Sequence, residues 1–152
     1  MKGDKIRYRD GYKYQLAADY VLRVPCLPER AVDANFLKLD LMGNLRIVEG
    51  YAWDGPSGPT IDTPDFMRGS LVHDALYQLM QEGYLDEAIW RETADKLLRQ
   101  ICLEDGMWHA RAEYVYQGVR LFGGPSANAG NEKTVIEAPG ETPSPYEPPP
   151  GP

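Results

Sequence analysis

The spacing of apolar residues changes once along this chain, and that change decides its fold class. Up to about Gly50, apolar and polar residues alternate in short runs, the pattern of strands with one covered face. Residues 16–24 are strand-compatible and end at Pro25. The run Phe36-Leu37-Lys38-Leu39-Asp40-Leu41 alternates and is expected to fold back on Leu45-Arg46-Ile47-Val48 across a Gly43-Asn44 turn. From Asp65 onward, Leu71, Val72, Ala75, Leu76, Leu79 and Met80 recur at helical spacing until Gly83 stops the pattern. A second helix is expected over residues 86–104, with Trp90, Ala94, Leu97, Leu98 and Ile101 as its stripe and Gly106 as its stop. A third is expected over residues 108–122, with Trp108, Ala112, Val115, Val119 and Phe122 as its stripe and Gly123-Gly124-Pro125 closing it. A small N-terminal antiparallel sheet packed with three helices is an α+β domain.

Beyond Gly123 the composition turns to Gly, Pro, Ser, Asn and Glu, and eight of the thirteen prolines fall in residues 125–152. Such a segment has too little apolar surface to offset the entropy lost on ordering. The chain therefore divides into a single globular domain, residues 1–124, and a Pro-rich flexible arm, residues 125–152, which a neighbouring subunit would order. With 152 residues, 43% of them hydrophobic, there is material for one core and no second domain.

A net charge of −7 lacks the basic stripe that nucleic-acid binding needs and opposes docking on an anionic membrane. No apolar window reaches the length of a transmembrane segment, and Met1-Lys2-Gly3-Asp4-Lys5 does not lead into the apolar run of an export signal, so synthesis in the cytoplasm is expected. Cys26 and Cys102 have no second Cys or His at zinc-ligand spacing and are expected to be buried free thiols, a disulfide between them being the alternative.

The chemistry-bearing residues cluster between the sheet and the helices. Tyr51-Ala52-Trp53-Asp54-Gly55-Pro56-Ser57-Gly58-Pro59-Thr60 reads as a rigid loop able to aim oxygens at a cation or substrate. On the first helix, His73 and Asp74 lie off the apolar stripe beside Ser70 and Tyr77, a polar side that could line a cleft. Asp95 sits at the margin of the second helix's stripe, where packing the helices together would bring its carboxylate to His73. A His held by a carboxylate has a fixed tautomer and the basicity a general base requires. The plain alternative is a surface ion pair of Asp95 with Arg91 or Arg99, four residues to either side. Ser57 is not in a nucleophile elbow, and His109, near the start of the third helix, carries no motif.

The order Trp53-Asp54-Gly55-Pro56-Ser57, His73-Asp74-Ala75-Leu76-Tyr77, Arg91, Ala94-Asp95 and Val119-Arg120-Leu121-Phe122-Gly123 resembles a family of small phage and prophage proteins with an Asp-Gly-Ala-Ser type loop and a His-Asp-x-Leu-Tyr helix. The resemblance covers roughly residues 37–123 and implies a bacteriophage origin, with no reaction attached. The order Asp-Gly-x-Ser, His-Asp-x-x-Tyr and a later Asp is also similar to the secreted calcium-dependent phospholipases of the A-two type. That similarity implies Ca²⁺ as cofactor, with Asp54, Asp74 and the Gly55 carbonyl as metal ligands, oxygens suited to a hard cation. It makes His73 the base that activates water and Asp95 the residue that orients it. The flanking cysteines of those enzymes are absent, with Pro56 and Val72 in their places.

Two functions are therefore expected as alternatives. One is a phage-encoded ester or lipid hydrolase with a calcium-assisted His73 centre. The other is a virion or tail-associated structural protein, made in the host cytoplasm, whose arm binds other phage structural proteins or a second copy and whose His-Asp cluster only fixes the fold.

Overall fold

The computed structural model describes residues 8–9, 14–54 and 63–127. Seven short strands precede the helices: β1 (Tyr8–Arg9), β2 (Tyr14–Leu16), β3 (Tyr20–Arg23), β4 (Val32–Asp33), β5 (Leu37–Leu39), β6 (Asn44–Ile47) and β7 (Ala52–Trp53). They form two antiparallel sheets, one ordered β1-β2-β7 and the other β3-β6-β5-β4. The architecture is α+β, with the helical half formed by α1 (Pro64–Gln81), α2 (Glu87–Glu104), α3 (His109–Phe122) and a single turn, α4 (Gly124–Ala127).

Two details of the strand half differ from the sequence expectation. Residues 16–24 do not make one strand, because the chain bends at Ala17-Ala18 and passes from one sheet to the other. Leu16 exchanges backbone hydrogen bonds with Tyr51 and Gly50, whereas Tyr20 pairs with Ile47. The β5–β6 hairpin pairs Leu37 with Ile47 and Leu39 with Leu45, but its turn is Leu41-Met42-Gly43 and Asn44 already belongs to β6. Gly43 takes φ +87°, the left-handed residue of a three-residue hairpin loop. The Asp40 carboxylate accepts from the backbone N–H groups of Met42 and Asn44 and shapes that turn.

Alternation places Leu22, Leu37, Leu39, Leu45 and Ile47 inward, in one cluster with Leu71, Leu76, Leu79 and Met80 of α1. A second cluster, Phe66, Leu98, Cys102, Met107, Ala112 and Val115, joins α1, α2 and α3. Pro64 opens α1, where its missing N–H costs nothing. Gly83 and Gly106 close α1 and α2 at positive φ, with the paired backbone hydrogen bonds of a Schellman cap in each case. Asp86 caps α2 by accepting from Ala88 N–H at 2.9 Å.

Because α1 contributes to both clusters, it is buried on nearly all sides. Ser70, His73 and Tyr77 are buried along with the apolar stripe, so this side of α1 packs largely against protein, while Asp74 is half-buried. The third helix is lighter. Ala112 and Val115 are buried and Val119 packs partly, but Trp108 and Phe122, expected in its stripe, are 83% and 80% exposed. Both sit at the helix ends. The described fold runs past the boundary drawn at residue 124, since Ala127 is fully buried in the main core. Cys26 and Cys102 are free and buried, and burial pushes each thiol up to about 12. No helix among the described residues is long and apolar enough to cross a membrane.

Candidate active site

His73 and Tyr77 are one turn apart on α1, so their rings share a face and lie 4.1 Å apart between centroids. The packing of α1 on α2 sets both against Asp95, which has no exposed surface. His73 Nε2 lies 2.7 Å from Asp95 Oδ1, and the Tyr77 hydroxyl donates to the same oxygen at 2.5 Å. Arg120, in the last turn of α3, donates from Nη1 to Oδ2 at 2.8 Å. Arg91, one turn before Asp95 on α2, donates from Nε to the Tyr77 hydroxyl at 3.3 Å. Its Nη2 also donates to the carbonyls of Val119 and Arg120, at 3.0 and 2.8 Å, and so caps the C-terminal end of α3.

The surface ion-pair alternative for Asp95 therefore fails. Arg99 pairs with Glu113 instead, and Arg91 reaches Asp95 only through the Tyr77 hydroxyl. Gly123 lies where it does for room. Its φ is −77°, but a Cβ there would come within 2.8 Å of the Tyr77 hydroxyl.

Burial by itself would push the Asp95 carboxyl up. Hydrogen bonds from His73, Tyr77 and Arg120 outweigh that and hold it below the usual carboxylate range. Tyr77 is pushed the other way, by burial first, then by its hydrogen bond to Asp95 and by the charge of that carboxylate. An ionised Asp95 can only accept, so we assign the imidazole proton to Nε2, which leaves the Nδ1 lone pair of the neutral ring available. Among the described residues nothing hydrogen-bonds to Nδ1. None of their polar side-chain atoms is both sealed from water and without a partner, so Nδ1 reaches solvent.

The lowered Asp95 value makes stability depend on acid. A depressed folded-state value contributes stability above the ordinary aspartate value of 3.8, and that contribution is lost as pH falls through the folded value. The urea midpoint is expected to hold between about pH 7 and pH 5 and to fall below about pH 4. Asp95→Asn, measured in parallel, should flatten that fall.

The remaining expected residues are placed less completely. Asp54 is exposed at the end of β7, and Asp74 is half-buried on α1. Both act on Tyr51, whose buried hydroxyl donates to Gln78 at 3.1 Å. Burial first, then the charges of Asp74, Glu82 and Asp54, raise the Tyr51 hydroxyl well above its ordinary value. Gly55, Pro56, Ser57 and the loop to Thr60 lie outside the described residues. Ser70 donates to Met67 O at 2.9 Å and accepts from the Trp53 indole at 3.1 Å, an arrangement that tethers β7 to α1 and does not suit a nucleophile. His109 is an exposed residue at the start of α3.

Sequence reasoning passed over Arg120 as a site residue. It stands in a segment read only for its apolar stripe and its glycine stop, and no local spacing links it to a carboxylate 25 residues away. Compared with known proteins, the chain matches no family model, no curated protein and no solved structure.

Proposed function

We propose that the protein is a hydrolase in which His73 is the general base that activates water. The observation that carries this reading is the asymmetry of the imidazole: Nε2 is fixed on a fully buried carboxylate while Nδ1 carries an open lone pair. Among the described residues, the hydroxyls beside His73 on α1, Ser70 and Tyr77, are buried and committed to other partners, and water is the proposed nucleophile. In the proposed step Nδ1 takes a proton from water as the water oxygen bonds to an ester carbonyl carbon. The resulting oxyanion collapses, the bond to the alcohol oxygen breaks, and the proton on Nδ1 passes to that oxygen. Asp95 stabilises the transient imidazolium without taking its proton. A phage origin is inferred from the motif order in residues 37–123, and the ester substrate from the order Asp54-Gly55-x-Ser57, His73-Asp74-x-x-Tyr77 and Asp95.

Calcium belongs to the same proposal through Asp54 and Asp74. Carboxylate oxygens suit the ion, which takes about six to eight oxygen ligands. Among the described residues, however, no three His, Cys, Asp or Glu side chains form a group that could hold a metal. Backbone oxygens from residues 55–62 would have to complete the set. Bound there, the ion would polarise the ester carbonyl.

The test is turnover of a short-chain ester and of phospholipid vesicles, in Ca²⁺ and in EDTA, by wild type and His73→Gln. Wild type is expected to hydrolyse at least one of them and His73→Gln to fall to the rate in buffer. Equal rates for the two proteins would end the base assignment. Calcium is expected to raise the melting temperature of wild type but not of Asp74→Asn. An unshifted melt with equal turnover in EDTA would remove the metal and leave the base.

A second reading, a virion or tail-associated structural protein, is favoured by a separate observation. Tyr114, Leu121 and Phe122 stand exposed on α3, apolar surface that a neighbouring subunit could cover. In that role the His73–Asp95 network only fixes the fold, and the same assay would show no turnover.

A further inference from the structure

The two oxygens of Asp95 are used differently, one by α1 and the other by α3. Oδ1 takes both His73 and Tyr77, and Oδ2 takes Arg120 alone. We propose that Arg120 is a positioning residue for the His73 centre, fixing from α3 which carboxylate oxygen and which imidazole tautomer α1 and α2 present. This rests on the hydrolase reading for its kinetic consequence but not for its structural one.

A carboxylate with a partner on only one oxygen is free to turn about its Cβ–Cγ bond. A bidentate-capable guanidinium on Oδ2 removes that freedom. Among the described residues Arg120 is the Lys or Arg side chain in direct contact with the fully buried Asp95, and its charge helps to keep the carboxylate ionised and able only to accept. Without that charge the carboxyl can carry a proton and donate it to Nε2. The imidazole proton would then move to Nδ1, and the lone pair that faces water would be lost.

Arg120 is itself held in place. Arg91 Nη2 grips its backbone carbonyl at 2.8 Å, and Gly123, three residues on, leaves space for the Tyr77 hydroxyl. Since α3 buries only Ala112 and Val115 fully, this polar contact is a main tie between its C-terminal end and the other two helices.

The experiment reads His73 ring-nitrogen chemical shifts and ester kinetics on the full chain. Wild type is expected to show a single tautomer, protonated at Nε2. Arg120→Met is expected to show mixed tautomers and to lose about 10- to 100-fold in kcat, the usual worth of a side chain that orients another, with KM within about twofold. Arg120→Lys, which keeps the charge, should recover most of both. Arg99→Met breaks the other α2–α3 ion pair, with Glu113, and should leave tautomer and kcat unchanged.

A single Nε2–H tautomer in Arg120→Met would overturn the proposal, as would an equal kcat loss in Arg99→Met. If Arg120→Met does not fold, Arg120→Gln keeps a donor to Oδ2 without the charge, and an undisturbed tautomer there overturns it as well. If no ester is turned over by any variant, the hydrolase reading fails on its own and the tautomer measurement still decides the role of Arg120.

Discussion

Asp95→Asn should fold and should lose about 10⁴-fold in kcat, the size of effect seen when a base is left in the wrong tautomer with its geometry intact. Asparagine is close to isosteric, so the packing of α1 on α2 survives. Its amide carries donors as well as an acceptor, whereas ionised Asp95 only accepts from His73, Tyr77 and Arg120. An amide N–H directed at Nε2 draws the imidazole proton to Nδ1, the nitrogen that must be free to receive one from water. Stability should fall by about 1.5–3 kcal/mol, since hydrogen bonds to a charged acceptor are weakened. Because His73 and Asp95 act as one unit, adding Asp95→Asn to His73→Gln should lower the rate no further. Ester turnover of purified variants, corrected for folded fraction from urea melts, checks both statements. A loss under tenfold in the single variant would show that Asp95 holds the fold and does not tune the base.

The parts of this molecule that were legible in its sequence are those set by local chemistry. Helix ends follow from Asp86, Gly83 and Gly106, each of which acts within one turn of its own position. The approach of His73 to Asp95 followed from helix phase, because both lie on the flanks of stripes that pack together. What was not legible depends on distant pairing. The bend at Ala17-Ala18 exists because Leu16 is bonded to the Gly50-Tyr51 segment and Tyr20 to Ile47, and no residue at the bend announces it. Trp108 and Phe122 share the period of α3, but period reports only direction, and both side chains are left exposed at the ends of the helix. Arg120 was missed for a related reason. A charged residue near a helix end usually faces water, and only the position of α3 across α2 turns this one inward.

Arg68 was likewise invisible in the stripe of α1, and its replacement should have the largest effect on stability. Its side chain is 2% exposed. The guanidinium grips Asp105 with two bonds, Nε to Oδ2 at 3.0 Å and Nη2 to Oδ1 at 2.9 Å, and reaches Glu104 at 3.0 Å and the Tyr20 hydroxyl at 3.0 Å. One side chain thus ties α1 to the C-terminal end of α2, where the helix dipole already favours a cation, and to β3. Burial would lower its affinity for the proton, but the bonds to Asp105, Tyr20 and Glu104 outweigh that and raise it. Arg68→Met fills the space and leaves Glu104 and Asp105 beside each other without the guanidinium that bridges them. Breaking a buried pair on one side costs about 3–5 kcal/mol, against a total of about 5–15 for a typical domain. At this chain length the melting temperature should drop by about 10 °C. The triple variant Arg68→Met, Glu104→Gln, Asp105→Asn should recover much of that loss, because neutralising all partners removes the stranded charge. Recovery would assign the cost to charge, and no recovery would assign it to lost packing and hydrogen bonds. If Arg68→Met alone lies within about 1 kcal/mol of wild type, the range of an exposed ion pair, the network does not anchor the fold.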